Sequence, residues 1–211
     1  MNIVPLSLEA TPIVAILRGV RPGEVVGVAT ALIKSGIRAI EVPLNSPEPL
    51  ASIERISSAC ADACLCGAGT VLEPRQVDDV KAAGGSLVVS PNVDVRVIRR
   101  ALEVGLTVMP GFATATEAFA AVEAGAQHLK LFPASTYGTG HLGALRAVLP
   151  KTVRVYAVGG VGTQNLAAWL QAGADGLGIG TELYRPGDTP NDVALRADTL
   201  VATWRSCRRA A

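Results

Sequence analysis

Two charged residues stand inside short apolar runs of this sequence. Glu41 lies between an isoleucine and a valine, and Lys130 lies between two leucines. If each run is a β-strand, neighbouring side chains point to opposite faces, so each charged residue faces away from its apolar neighbours. Burial of a lysine disfavours its charged form and leaves a nucleophilic amine. A carboxylate beside that amine can carry protons, so the pair has the chemistry of covalent catalysis.

The elements that must position these residues follow a repeated pattern. An alanine-rich helical stretch leads to a glycine, and a short apolar run begins two or three residues later. The full pattern occurs at residues 35–43, 83–91, 104–110, 124–133 and 172–180. Glycine suits the left-handed residue that ends many helices, and apolar runs of this length suit buried parallel strands. Partial matches occur at Ile13 to Leu17, Leu65 to Ala68 and Val153 to Val158, which brings the expected strands to eight.

Helical stretches separate the expected strands. They include Gly23 to Lys34, Pro74 to Ala83, Val95 to Val104, and Thr116 to Ala124, where Thr116 is expected to open the helix. Eight alternations of strand and helix predict an α/β fold, a single (β/α)8 barrel over residues 1–211. An open doubly wound sheet is the alternative. It would typically show fewer strands and a G-x-G-x-x-G motif after the first strand, and no such motif follows Leu17.

Composition excludes several classes of function. The net charge is +1, with 19 basic and 18 acidic side chains spread along the chain, which does not predict a nucleic-acid surface. Arg205, Arg208 and Arg209 are expected to form a solvated tail. No apolar run approaches the roughly 18 residues of a membrane span, and residues 1–5 do not read as a signal peptide.

The cysteines predict ordinary reduced thiols rather than a metal centre. They are Cys60, Cys64, Cys66 and Cys207, which form no C-x-x-C pair and have no histidine near the first three. We therefore expect no metal, no cofactor and a cytoplasmic location.

In a parallel barrel, catalytic residues gather where the strands end. Arg18, Glu41, Thr70, Pro91 and Lys130 all lie at or near such ends. The second and sixth strands share even parity, so their inward residues can occupy one layer, and Glu41 is expected to meet Lys130 across the mouth. The alternative is a buried ion pair without function, although such pairs are rarely net stabilising.

Glycines follow the last two expected strands. Gly159-Gly160 follows the seventh strand, and Gly180-Thr181 follows the eighth. Barrels commonly bind phosphate at these two loops through backbone N–H groups, and the Thr181 hydroxyl could add a contact. The alternative is that the loops need glycine for their geometry alone.

The chain resembles the aldolases that split 2-keto-3-deoxy-6-phospho sugar acids into pyruvate and glyceraldehyde 3-phosphate. The resemblance runs from Pro12 to the final helix near Asn191 to Arg205. The motifs that carry it are at residues 67–72 (GAGTVL), 90–92 (SPN), 110–111 (PG), 130–134 (KLFPA) and 158–161 (VGGV). Residues 15–19 (AILRG) and 41–47 (EVPLNSP) resemble the 6-phosphogalactonate branch. The gluconate branch typically has arginine in place of Asn45 and threonine in place of Val158.

The resemblance implies a role for each matching residue. Lys130 would form a Schiff base and Glu41 would transfer protons. Thr70, Pro91 and Phe132 would line the pyruvate end of the pocket, and Gly159, Gly160, Gly180 and Thr181 would bind the phosphate. Arg18, Asn45 and Val158 are our own addition to the substrate-binding residues: Arg18 is expected to contact a carboxylate or hydroxyl group, and Asn45 and Val158 lie where the two branches differ. The resemblance further implies a metal-independent homotrimer whose ligands are the phosphorylated keto-deoxy sugar acid, pyruvate and glyceraldehyde 3-phosphate.

Three other functions stay open from the sequence. The first is an aldolase for the gluconate epimer or for both C4 epimers. The second is a phosphosugar isomerase or epimerase, which shares the barrel and the phosphate loops but needs no imine-forming lysine. The third is a non-catalytic barrel that binds a phosphate ligand.

Overall fold

The computed structural model describes residue 8, residues 12–60 and residues 62–210, with only the backbone of residues 209 and 210. Residues 1–5, which were not expected to be a signal peptide, lie outside this range. Within it, the strands are β1 (Ile13–Ile16), β2 (Ala39–Pro43), β3 (Leu65–Gly69), β4 (Leu87–Val89), β5 (Thr107–Met109), β6 (Gly111–Phe112), β7 (His128–Leu131), β8 (Arg154–Val158) and β9 (Gly176–Ile179). The helices are α1 (Val25–Ser35), α2 (Pro49–Cys60), α3 (Pro74–Ala82), α4 (Val95–Glu103), α5 (Ala115–Glu123), α6 (Ala134–Arg146), α7 (Leu166–Gln171) and α8 (Pro190–Ala210).

The strands form one parallel sheet that closes into a barrel. Their order is β5-β4-β3-β2-β1-β9-β8-β7-β6. β5 and β6 flank Pro110 and together fill the fifth position, because β5 pairs with β4 and β6 pairs with β7. The N–H of Lys130 donates to the carbonyl oxygen of Pro110 at 2.9 Å across this break. The predicted (β/α)8 barrel is confirmed, and the fifth strand divides because proline has no N–H for the ladder.

Side-chain alternation along the strands creates two apolar regions. Ile40, Val42, Leu129 and Leu131 belong to the large core between the sheet and the helices. A smaller cluster fills the barrel interior; it contains Leu8, Val14, Ala39, Leu65, Leu87, Val89, Met109, Tyr156 and Val158. Residues one position away from the outward set therefore face inward, as the alternation predicted for Glu41 and Lys130.

Local capping explains where two of the helices end and begin. Gly36 ends α1 with φ 101°, a left-handed conformation that only glycine adopts without steric strain. The expected start of the fifth helix at Thr116 was wrong by one residue, because Thr114 is the N-cap. The side chains of Thr114 and Glu117 each bond to the other's backbone N–H, which satisfies two donors at the helix start.

The C-terminal arginines are helical rather than part of an extended tail. α8 continues to Ala210. Arg205 and Arg208 are exposed, as expected, but the guanidinium of Arg208 lies 5.9 Å from the ring centre of Trp204. The expected tail is therefore corrected to the solvent-facing end of a helix. Among the described helices, none combines the length and hydropathy needed to cross a membrane.

Candidate active site

Glu41 lies at the middle of β2 and is 2% exposed. Its backbone is fixed, because its carbonyl oxygen accepts the N–H of Leu17 at 2.9 Å. Its carboxyl group lies against Gly69, where an added Cβ would be only 1.9 Å from Oε2. Oε2 makes no hydrogen bond with the described residues. An unpaired buried polar atom is costly, so its retention here favours a functional role for Glu41.

Lys130 lies on β7 and is 6% exposed. Its Nζ stands 4.6 Å from the ring centre of Phe132, two residues further along the chain. The aromatic ring covers one side of the amine and contributes a cation–π attraction to its charged form. The amine thus sits at the carboxyl end of its strand, in the position where barrel enzymes carry out their chemistry.

Burial shifts the protonation of both groups toward neutral forms. It raises the pKa of the Glu41 carboxyl to about 7, against the opposing positive charges of Lys130 and Arg18. It lowers the pKa of the Lys130 amine, against the carboxyl charge of Glu41, and the positive charge of Arg18 lowers this pKa further. The Glu41 carboxyl therefore has a pKa near neutral pH, and the Lys130 amine is easier to deprotonate than a lysine in water.

Arg18 reaches the same end of the barrel from the loop after β1. Its Nη1 donates to the side-chain oxygen of Asn45, in the loop after β2. The next residue, Gly19, donates its N–H to Oγ of Ser46 at 2.9 Å. Gly19 has φ 83°, and an added Cβ would lie 2.8 Å from Cγ of Pro186. The loop that carries Arg18 is therefore held from two sides.

The remaining predicted pocket residues line the same rim. Val158 belongs to the interior cluster, and Phe132 packs against that cluster. Thr70 follows β3 with φ 58°, which is unusual for a β-branched residue and costs roughly 1–3 kcal/mol. Such strain is typical of functional sites. Pro91 follows β4, and its carbonyl oxygen lies 2.4 Å from the point where Gly111 would carry a Cβ.

The loop after β8 has a backbone shape that requires glycine. Gly159 and Gly160 have φ 94° and 71°, and a Cβ on Gly160 would be 2.5 Å from Cβ of Ser135. The carbonyl of Gly159 accepts the N–H of Ser135 at 3.0 Å, and the carbonyl of Gly160 accepts Nδ2 of Asn165 at 2.9 Å. A glycine loop of this shape suits an anion, which backbone N–H groups can bind.

The loop after β9 is a tight turn beside the loop after β8. The carbonyl of Gly180 accepts the N–H groups of Leu183 and Tyr184 at 2.8 and 3.0 Å. Thr181 is exposed in this turn, so its hydroxyl is open to a ligand. The Tyr184 hydroxyl donates to Oε1 of Glu24 at 2.8 Å and ties the turn to the segment that begins α1.

Comparison with known proteins decides the family of this barrel. The family model described as "KDPG and KHG aldolase" matches residues 4–193. The chain belongs to the KDPG and KHG aldolase family. It is therefore an aldolase, an enzyme that cleaves carbon–carbon bonds.

Three similar proteins place this aldolase within its family. The chain is 50% identical to "2-dehydro-3-deoxy-6-phosphogalactonate aldolase" of Escherichia coli (strain K12), over 92% of this chain and 95% of that protein. The structure titled "Native KDPGal structure" is 49% identical, with a TM-score of 0.92 over 94% of this chain and 96% of that one. A cube-shaped cage "designed by fusing symmetric oligomeric domains" is 48% identical, with a TM-score of 0.93 over 95% of this chain and 74% of that one.

Some of the predicted site residues of this aldolase contact one another directly. Arg18 contacts Asn45, and Phe132 covers Lys130. A Cβ on Gly159 would lie 3.4 Å from the ring of Phe132. The Phe132 ring therefore lies between the glycine loop and the Lys130 amine. Thr70, Pro91, Gly180 and Thr181 share the rim without a hydrogen bond to Lys130 or Glu41 among the described residues.

Sequence reasoning missed three residues that support this aldolase's rim: Ser46, Asn165 and Tyr184. Each bonds to a loop that carries a predicted residue. Ser46 stands next to Asn45 in the chain, which was the one available signal. Its partner Gly19 is 27 residues away, so no local pattern joins them.

Among the described residues, no group of three or more histidine, cysteine, aspartate or glutamate side chains is arranged to hold a metal ion. All four cysteines are unpaired with one another.

Proposed function

We propose that this aldolase cleaves 2-dehydro-3-deoxy-6-phosphogalactonate to pyruvate and D-glyceraldehyde 3-phosphate through a Schiff base on Lys130. The observation that carries the proposal is the Lys130 amine, buried in the barrel with a lowered pKa and acted on by the buried Glu41 carboxyl. The 50% identity to the Escherichia coli galactonate enzyme supports this choice of substrate.

Bond cleavage begins at Lys130. Its neutral amine adds to the C2 ketone of the substrate, and loss of water gives an iminium ion. Glu41 then removes the proton of the C4 hydroxyl as the C3–C4 bond breaks. The electron pair of that bond moves into the iminium and forms an enamine, while C4 leaves as the aldehyde of glyceraldehyde 3-phosphate. Positioning a carboxylate for such a proton transfer typically accelerates a reaction by roughly 10²–10⁴.

Product release returns Lys130 to its starting state. A proton is delivered to C3 of the enamine, which regenerates the iminium as the pyruvate imine. Water adds to C2, pyruvate leaves, and the free amine is restored. The pKa of about 7 at Glu41 suits a group that must accept and return a proton in one cycle.

We assign the two ends of the substrate to two sets of rim residues. Arg18 and Asn45 offer a positive charge and an amide to the carboxylate or hydroxyl groups near C1 to C4. Gly159, Gly160, Gly180 and Thr181 offer N–H groups and a hydroxyl to the phosphate. Thr70, Pro91, Phe132 and Val158 shape the pocket between them.

The choice between the C4 epimers is tested by comparing kcat/KM for the galactonate and gluconate substrates. A value at least tenfold higher for the galactonate epimer is expected. Equal values would assign a dual-epimer enzyme, and the reverse order would assign the gluconate reaction.

The homotrimer is also a proposal, and the oligomeric domains of the similar designed cage support it. Size-exclusion chromatography with light scattering is expected to give three times the chain mass, and a monomer mass would contradict it. A cytoplasmic location stays a prediction.

The Schiff base is tested by borohydride reduction in the presence of pyruvate, followed by peptide mass mapping. A pyruvyl adduct is expected on the peptide that contains Lys130. The other three lysines, Lys34, Lys81 and Lys151, are exposed and serve as internal controls. No adduct on a folded protein, or equal labelling of all four lysines, would contradict the proposal.

A further inference from the structure

The hydroxyl of Ser46 connects two loops at the rim of the barrel. Ser46 is 8% exposed, and its N–H donates to the carbonyl of Pro43 at the end of β2 at 2.9 Å. Its Oγ accepts the N–H of Gly19 at 2.9 Å. The hydroxyl is therefore fixed by a turn of the loop after β2 and holds the backbone of the loop after β1.

The opposite side of the β1 loop is held as well. Pro186 lies so close to Gly19 that a side chain at this glycine would clash with its ring. The N–H of Arg21 donates to Oε1 of Glu24 at 3.0 Å, and the same oxygen accepts the Tyr184 hydroxyl. The side chain of Arg18 is itself held by Asn45. Among the contacts that hold the loop backbone, the Ser46 bond lies nearest to Arg18 in the chain.

The residue that this loop carries acts on both groups of the buried pair. The positive charge of Arg18 lowers the pKa of Lys130 and also the pKa of Glu41. Within the described part of the chain, the charged groups that act on the pair are its own two members and Arg18. The position of one exposed arginine therefore affects the protonation of both buried groups.

We propose that Ser46 is a positioning residue of the aldolase, whose hydroxyl holds the Gly19 N–H and thereby sets where Arg18 stands relative to Lys130 and Glu41. Ser46 itself does not touch the reacting atoms. The inference rests on the proposed function, because it assigns a consequence for the Schiff-base reaction to a bond between two loops.

The test is the pH dependence of kcat/KM in the variant Ser46→Ala. Without the hydroxyl, the backbone beside Arg18 loses one of its anchors and Arg18 stands farther from the pair, so the pKa values of Lys130 and Glu41 both rise. The reaction needs the neutral amine and the ionised carboxyl, so the acidic limb of the profile moves to higher pH. We expect a shift of roughly half a pH unit and a fall in kcat/KM of roughly tenfold at pH 7.

Two further variants separate positioning from general loss of stability. Ser57→Ala is the matched control, because the Ser57 hydroxyl also joins two elements, through hydrogen bonds to the carbonyls of Glu54 and Ala83 at 3.1 and 3.0 Å. It is expected to lower the thermal midpoint about as much as Ser46→Ala and to leave the pH profile unchanged. Ser46→Thr keeps the hydroxyl and is expected to restore the profile.

The inference is overturned if Ser46→Ala has the wild-type acidic limb, or if Ser57→Ala shifts the limb equally. It is also overturned if Ser46→Thr folds with the wild-type midpoint and still shows the shifted limb. Failure of the proposed function would be seen separately, as a wild-type protein that forms no pyruvyl adduct.

Discussion

The two halves of the barrel interior differ in what fills them. The half near the strand starts is closed by apolar side chains such as Val14, Leu65 and Leu87. One polar group there, the Tyr156 hydroxyl, is satisfied because it donates to the carbonyl of Leu8 at 2.8 Å. The half near the strand ends contains the charged pair and a carboxyl oxygen that makes no hydrogen bond with the described residues.

Glycines serve both halves in the same way but for different ends. A Cβ on Gly176 would lie 2.3 Å from the ring of Tyr156, so this glycine makes room for a packed aromatic side chain. A Cβ on Gly69 would lie 1.9 Å from the Glu41 carboxyl, so that glycine makes room for a reactive group. The same two-residue alternation places side chains inside both halves of the barrel. Apolar side chains in one half contribute to stability, and the charged pair in the other half contributes to catalysis. Substitutions in the two halves should therefore have separable effects.

The largest expected effect is on turnover in Lys130→Met. The thioether chain replaces most of the lysine volume but provides no amine, so no imine can form. Cleavage should fall by at least 10⁴-fold, since covalent catalysis through the nucleophile is lost, while the thermal midpoint stays the same or rises. A coupled assay for pyruvate measures this, with Lys34→Met as the control. Residual turnover within tenfold of wild type would contradict the role of Lys130.

The next effect is on proton transfer in Glu41→Gln. The amide keeps the shape of the carboxyl but cannot accept a proton, so kcat should fall by roughly 10²–10⁴. Pyruvate should still be trapped on Lys130 by borohydride, because binding at the amine remains. The exposed Glu54→Gln is the control. Loss of pyruvate trapping together with an unchanged kcat for cleavage would contradict the role of Glu41 in proton transfer.

In the other half of the interior, Leu87→Ala should affect stability alone. Leu87 is fully buried, and removal of its side chain should lower the free energy of unfolding by about 2–5 kcal/mol. Denaturant titration measures this loss. The value of kcat/KM at a temperature where the variant is folded should stay within about threefold of wild type. A much larger loss of activity would mean that the two halves are not separable.

The pH dependence of stability should also distinguish the halves. The pKa of Glu41 is about 7 in the folded state against 4.5 for the free side chain. The folded protein therefore binds this proton more tightly, so the stabilisation is complete below pH 4.5 and is lost as the pH rises through 7. The loss should reach about 3 kcal/mol. The difference in unfolding free energy between wild type and Glu41→Gln should show this slope, and Glu54→Gln should not.

The smallest effect is expected at the rim, in Thr181→Val. Loss of one exposed hydroxyl that contacts phosphate should raise KM several-fold, by roughly 1 kcal/mol of binding, with little change in kcat. Activity on the substrate without its phosphate should not change. The control is Thr152→Val, at an exposed site distant in the chain from Thr181. An unchanged KM for the phosphorylated substrate would remove Thr181 from the phosphate site.

The strand and helix pattern of this chain could be read from its sequence because it depends on local chemistry. Gly36 ends a helix and Pro110 interrupts a strand for reasons that lie within a few residues of each. The boundary error at Thr116 has the same origin, since two threonines compete for the N-cap. Only Thr114 stands three residues before Glu117, which the reciprocal bonds require.

The sequence by itself determined that Lys130 and Glu41 face inward, because a period of two residues in an apolar strand fixes the side of each. It also determined the family, through motifs that occur in order along the chain. The tertiary structure alone decided that Gly69 makes room for the carboxyl, that Asn45 binds Arg18, and that Ser46 holds Gly19. These contacts join residues 27 or more positions apart, on neighbouring strands and loops. Their distances follow from how the barrel closes, which no local spacing contains.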